Sequence, residues 1–204
     1  MVLCDIGNTT YNFYSPKGSY RFYIDSFDPS SMSERVYFIS VNPLLKQKLQ
    51  KLPNWVDISP RVDMNKYYQT MGIDRIMVCE AINDGVIIDA GSAITVDVME
   101  QGKFMGGYIY PGIEAMSRAY RGISELLAYS FNFEIDLDKM PKNSEDAISY
   151  GFLKTLYSEV LSHKKQIYLC GGDAKVFAKI FKDAIVDEDL VFKGMRKFIK
   201  GEVC

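Results

Sequence analysis

The sequence predicts an α/β protein made of two similar lobes, and three observations carry that prediction. A strand-rich element occurs twice, 84 residues apart. Amphipathic helical segments follow each copy. Hydrophobic residues at 48% and charged residues at 25% suit a globular chain that buries a core.

The repeat is read directly from the residues. Positions 2–20, VLCDIGNTTYNFYSPKGSY, align without a gap onto 86–104, VIIDAGSAITVDVMEQGKF. Asp5 falls on Asp89, Gly7 on Gly91, Gly18 on Gly102 and Tyr20 on Phe104. Each copy reads as an apolar strand, an Asp-x-Gly turn, a second strand, a glycine-containing turn and a third strand. The expected lobes are residues 1–80 and 81–204, with a cleft between them and no Pro/Ser-rich linker.

Helices follow in order. PLLKQKLQKL begins at Pro43, which suits a first helical turn, and spaces Leu44, Leu45, Leu49 and Leu52 along the segment. PGIEAMSRAYRGISELLAYSF places Ile113, Met116, Tyr120 and Ile123 on one stripe. NSEDAISYGFLKTLYSEVLSH takes Asn143 or Ser144 as its cap and Ile148, Phe152, Leu156 and Val160 as its core face. The strand QIYLC, the pair Gly171–Gly172 and the helical pattern AKVFAKIF complete the reading.

Composition narrows the function. A net charge of −2 gives no basic face for a polyanion, which argues against nucleic acid. No segment approaches the ~20 apolar residues of a membrane helix, and MVLCDIGNTT lacks the pattern of a signal peptide. Cys4, Cys79, Cys170 and Cys204 form no C-x-x-C pair, and reduced, buried thiols fit a cytoplasmic protein. The single histidine, His163, belongs to a polar helix end, which removes histidine triads from consideration.

The turn DIGNTT carries chemistry. A carboxylate at a strand end, then glycine and small hydroxyl residues, presents backbone N–H groups to phosphate oxygens while the aspartate holds Mg²⁺. An ordinary hairpin turn uses the same residue types. The second copy, DAGSAIT, favours the phosphate reading, because two such turns from opposite lobes can grip one nucleotide.

Together these turns resemble the two phosphate motifs of actin-like ATPases, sugar kinases and acetate kinases. MGIDR (71–75), GGYIYPG (106–112) and CGGDA (170–174) narrow the resemblance to the type III pantothenate kinases. The five motifs occur in that family's order and span Val2 to about Gly194.

The resemblance implies two ribonuclease-H-like lobes of the actin-like type, with mixed sheets. It also implies ATP-dependent phosphorylation of pantothenate by a cytoplasmic homodimer, the first step toward coenzyme A. The contact expected is GGYIYPG with the helix after it, rich in Tyr108, Tyr110, Met116 and Tyr120, with core packing as the alternative role of that stripe. By resemblance, Asp5, Ile6, Gly7, Asn8, Thr9, Thr10, Tyr11 and Asn12 line the ATP phosphates, with Asp5 near the metal. Ser92 contacts ATP, and Gly171 and Gly172 lie beside the adenosine. Asp74 is the proton acceptor, and Gly72, Ile73, Asp74 and Arg75 contact pantothenate. Asp89 helps bind a monovalent cation, potassium or ammonium.

Tyr68, or alternatively Tyr67, stands near the family's substrate tyrosine at altered spacing. Ser144 takes the place of a substrate-contacting threonine, with helix capping as its alternative role. The aromatic run RFYIDSF and the ten methionines read as core or interface. Two other readings stay open: a kinase of the same superfamily acting on a sugar or carboxylic acid, and a silent nucleotide-binding regulatory module. MGIDR and GGYIYPG argue against the first, and the presence of Asp74 against the second.

Overall fold

A computed structural model describes residues 1–199; Cys204 lies outside the described residues. The chain divides into two compact units, Met1–Ile82 together with the chain from Asp189 onward, and Asn83–Glu188. The last helix thus groups with the first unit, whereas the sequence reading ran the second lobe to the C-terminus.

In the first unit the apolar run Val2–Ile6 (β1) is the middle strand. It pairs antiparallel with Thr10–Ser15 (β2), and β2 pairs antiparallel with Gly18–Tyr23 (β3). On its other side β1 lies parallel to Val36–Ser40 (β4), and β4 parallel to Trp55–Asp57 (β5). The helix Pro43–Leu49 (α1) makes the crossover between the last two, as parallel pairing requires. The order is β3-β2-β1-β4-β5.

The second unit repeats this topology. Gly85–Ala90 (β6) pairs antiparallel with Ala93–Glu100 (β7), and β7 antiparallel with Lys103–Pro111 (β8). β6 is parallel to Ile167–Cys170 (β9), which is parallel to Ile185–Val186 (β10). Read from β8 to β10, order and strand senses match the first sheet.

The repeat carries one register difference that the gapless alignment conceals. Asp5 pairs with Asn12, but Asp89 pairs with Thr95, so the first hairpin loop is one residue longer. The outer turns differ as well. Gln101 and Gly102 both have positive φ, 49° and 76°, the pattern of a type I′ hairpin, whereas Gly18 follows its turn at φ 118°.

One face of each sheet carries a large hydrophobic cluster, and the other is buried in part, at Leu3, Ile39 and Ile87. Val2, Cys4, Ile6, Tyr11, Phe13, Phe38 and Trp55 form the first cluster, tiled by aromatic contacts such as Tyr11–Phe27 and Phe13–Trp55. Val86, Ile88, Ala90, Ile94 and Val96 meet Phe152, Leu156 and Val160 in the second. The helix Ser144–Ser162 (α4) supplies these last three, which with Ile148 are the expected core face. Asn143 is its cap, accepting from the Asp146 N–H at 2.8 Å. Ser144 is therefore the first helical residue and not the cap.

Other helices depart from the sequence reading. Leu44 is 79% exposed, so α1 buries only the Leu49 side of its stripe, with Leu45 and Leu52 partly packed. The long segment after Pro111 is helical only over Ile113–Ile123 (α3). Ser124 adopts an extended backbone and its hydroxyl accepts from the Leu126 N–H, diverting the chain into a short 3₁₀ turn. AKVFAKIF keeps a helix only over Ala174–Phe177 (α5). In RFYIDSF, Phe27 and Ile24 pack on the core, but Tyr23 is exposed on the edge strand β3.

Candidate active site

Strand pleating puts alternate side chains on opposite faces. Val2, Cys4 and Ile6 enter the first core, so Asp5 lies on the other face, at the carboxyl end of a central parallel strand. Such strand ends are where open α/β sheets bind ligands. Asn12, directly across from Asp5, donates from Nδ2 to Asp5 Oδ2 at 3.3 Å. Arg21, across from Asn12, donates from Nε to Asn12 Oδ1 at 2.7 Å. The three strands thus set a relay of donors that ends on the carboxylate.

The intervening turn closes with the Gly7 N–H donating to the Thr10 carbonyl at 3.0 Å, leaving Asn8 and Thr9 exposed at the tip. Ile6 and Tyr11, expected among the phosphate-lining residues, send their side chains into the core cluster. What they offer the turn is backbone.

The second turn is built the same way. The Gly91 N–H donates to the Ala93 carbonyl at 3.1 Å, and Ser92 is exposed. Two glycines crowd its backbone. A Cβ on Gly112, the last residue of GGYIYPG, would overlap the carbonyl oxygens of Gly91 and Ser92. A Cβ on Gly171, which also has φ 86°, would overlap the Ala90 carbonyl and the Asp89 carboxylate. Glycine at these places lets chain segments close tightly around the turn. The Asp173 N–H donates to the Ala90 carbonyl at 2.9 Å, and burial pushes the Asp173 carboxyl up.

Asp89 lies on the face of β6 opposite the Val86–Ile88–Ala90 cluster, beside its cross-strand partner Thr95. The Thr95 hydroxyl is buried with no hydrogen-bond partner among the described residues. Asp97, wholly buried, lies on the same face two residues on. Sequence reading missed Thr95 and Asp97, although alternation along ITVDV separates them from the core residues Ile94, Val96 and Val98.

MGIDR opens the helix Ile73–Ala81 (α2), with Gly72 as its cap. Asp74 Oδ1 accepts from the Arg75 N–H at 2.8 Å. Arg75 is buried, and its guanidinium donates to the Tyr68 hydroxyl while lying over the Tyr68 ring, 5.8 Å from its centroid. Tyr67 instead donates its hydroxyl to Glu80 at 3.0 Å. The structure thus brings Tyr68 to the arginine of the motif.

Behind α2 runs the helix Leu190–Lys197 (α6), so close that a Cβ on Gly194 would overlap the Met77 carbonyl. The same helix reaches the hairpin through Phe192 against Tyr14 and Arg196 over Tyr14. One helix thus packs against both the middle of α2 and the outer end of β2. Gly172 and Ser144 are both placed in the second unit, with Ser144 exposed in the first turn of α4.

Comparison with known proteins decides the family. The model for type III pantothenate kinases matches residues 30–165. A type III pantothenate kinase from Sulfurimonas denitrificans is 58% identical over 200 residues, 98% of each chain. This chain belongs to the type III pantothenate kinase family. Membership makes it a kinase.

The type III pantothenate kinase of Campylobacter hominis is 42% identical, with 99% of each chain covered. A solved chain from Campylobacter jejuni, described as a conserved candidate Baf family transcriptional activator, superposes with TM-score 0.89 at 39% identity, covering 99% of this chain and 98% of that one. MreB5 of Spiroplasma citri, solved with ADP, shares the fold at TM-score 0.52 and 12% identity, covering 98% and 95%. The actin-like α/β fold expected from the paired turns is thus the fold found. No helix among the described residues is long and apolar enough to cross a membrane.

Proposed function

We propose that this chain transfers the γ-phosphoryl group of ATP to the primary hydroxyl of pantothenate, giving 4′-phosphopantothenate, with Asp74 as proton acceptor. The observation that carries the reading is the build of MGIDR. One carboxylate oxygen of Asp74 is held by the following N–H, which leaves Oδ2 for a substrate hydroxyl. As the hydroxyl oxygen bonds to phosphorus, the bridging P–O bond breaks and ADP leaves with its electron pair. The hydroxyl proton passes to Asp74.

Positioning and charge neutralisation supply most of the catalysis in such a transfer. Arg75, with Tyr68 against it, binds anionic oxygen of pantothenate, and Gly72 and Ile73 add backbone contacts. The turn Asp5–Asn12 and Ser92 take the ATP phosphates, Gly171 and Gly172 lie by the adenosine, and Ser144 contacts substrate. A divalent metal neutralises phosphate charge when bound, and Asp5 would hold it; the Asn12 donor that fixes the carboxylate fits that role. Asp89 would hold the monovalent cation, K⁺ or NH₄⁺, and the buried, unpartnered Thr95 hydroxyl beside it fits a cation ligand.

The protein acts in the cytoplasm as a homodimer, with α3 and the chain after it as contact surface and the pantothenate pocket close by. Ile123 and Leu126 are 73% and 83% exposed there, large apolar side chains that a partner would cover. A substrate panel tests the central reading. Purified protein with Mg-ATP and potassium should phosphorylate pantothenate and leave sugars and simple carboxylic acids unmodified. Turnover on a sugar in preference to pantothenate would overturn it.

A further inference from the structure

We infer that Gly72 is a positioning residue for Asp74: the absent side chain of Gly72 is the space in which the proton-accepting carboxylate rests. The inference rests on the proposed role of Asp74 and goes beyond the substrate contact assigned to Gly72. Three observations carry it.

The first concerns backbone conformation. Gly72 has φ −59° and ψ 139°, values any residue adopts, so its conformation gives no reason for glycine. The second is steric. Beyond its chain neighbours, a Cβ built at Gly72 meets only Asp74 among the described residues, overlapping Oδ1, with Cγ at 3.6 Å. The third is the hydrogen bond from the Arg75 N–H to that same Oδ1. The carboxylate is therefore pinned from one side by a donor and accommodated on the other by a hydrogen atom in place of a methyl.

Alanine at position 72 would push Oδ1 away from the Arg75 N–H, and Oδ2 would turn with it. A carboxylate is the end of a short, rotatable side chain, so the shift costs the fold little. Proton transfer is less tolerant, because displacement of about 1 Å at a reacting group can cost on the order of 10²-fold in rate. Low thermodynamic cost with high kinetic cost is the signature that separates this role from a packing role. A backbone contact to pantothenate would instead show as a raised KM.

A double-mutant cycle tests it, with wild type, Gly72→Ala, Asp74→Asn and the double variant compared by kcat, by KM for both substrates and by thermal melting. Gly72→Ala should melt within a few degrees of wild type and lose about 10- to 10²-fold in kcat, with KM for ATP unchanged. In the Asp74→Asn background the same substitution should cost nothing further. A normal kcat in Gly72→Ala, an equal loss in both backgrounds, or loss of cooperative melting would each overturn the inference. If Asp74→Asn itself turns over normally, the assignment of Asp74 fails first and the inference falls with it.

Discussion

Asn12 stands directly across the first hairpin from Asp5 and gives its carboxylate a hydrogen bond at 3.3 Å. Arg21, one strand further out, fixes the amide of Asn12 so that Nδ2 and not Oδ1 points at the acid. If Asp5 holds the divalent metal, Asn12 sets the orientation of the ligand. Asn12→Ala should raise the Mg²⁺ concentration giving half-maximal rate by roughly 5- to 10-fold, the scale of one lost hydrogen bond of about 1 kcal/mol. Titration with Mg²⁺ at saturating ATP checks this, and an unchanged curve would separate Asn12 from the metal.

Much of this arrangement is legible in the sequence. The Asp-x-Gly turns, their doubling and the core face of α4 follow from periodicity and turn chemistry, which are local. What escaped was set by register and by packing. The extra residue in the Asp5–Asn12 loop is invisible to an alignment that matches turn residues by position. Ser124 ends α3 through a hydroxyl that competes with the helix, against a pattern that continues to Phe131. Thr95 reads as an ordinary strand threonine until its pairing with Asp89 is known.

The inner glycines Gly7 and Gly91 offer a test that the structure sharpens. Neither has positive φ, and a Cβ on either would meet its nearest neighbour at 3.9 Å and 3.8 Å, ordinary contact. Left-handed backbone is thus removed as a reason for glycine there, leaving close approach of phosphate. Gly7→Ala and Gly91→Ala should each raise KM for ATP while changing stability by under about 1 kcal/mol. Gly18→Ala and Gly102→Ala, at positive φ, should lose about 1 kcal/mol or more and leave KM for ATP unchanged. Kinetics and melting curves for the four variants decide it; equal stability loss with no kinetic change would exclude a phosphate role.

The cation site predicts an effect outside turnover. Potassium at constant ionic strength should raise the melting temperature relative to sodium or Tris, because a bound ligand stabilises the folded state. Thr95→Val removes the unpartnered hydroxyl and should abolish that potassium-dependent rise while folding normally. A rise of the same size in Thr95→Val would exclude the threonine as a ligand. Activity should likewise increase in potassium or ammonium.

Dimerisation is tested at the exposed apolar residues after α3. Leu126→Glu places a charge where a partner's apolar surface would lie, and sedimentation should show a monomer where the native chain is a dimer. Because Leu126 is largely solvent-exposed in the single chain, its folding should be unaffected. A dimer that persists unchanged in Leu126→Glu places the interface elsewhere.

Phosphoryl transfer here turns on one carboxylate, and the most direct measurement is the rate of 4′-phosphopantothenate formation by Asp74→Asn beside its affinity for ATP. Asparagine keeps the shape and can still accept from the Arg75 N–H, but it takes no proton. The expected outcome is a loss of roughly 10²–10⁴-fold in kcat, with ATP binding and melting temperature retained. Near-normal phosphorylation of pantothenate by the folded variant would contradict the account.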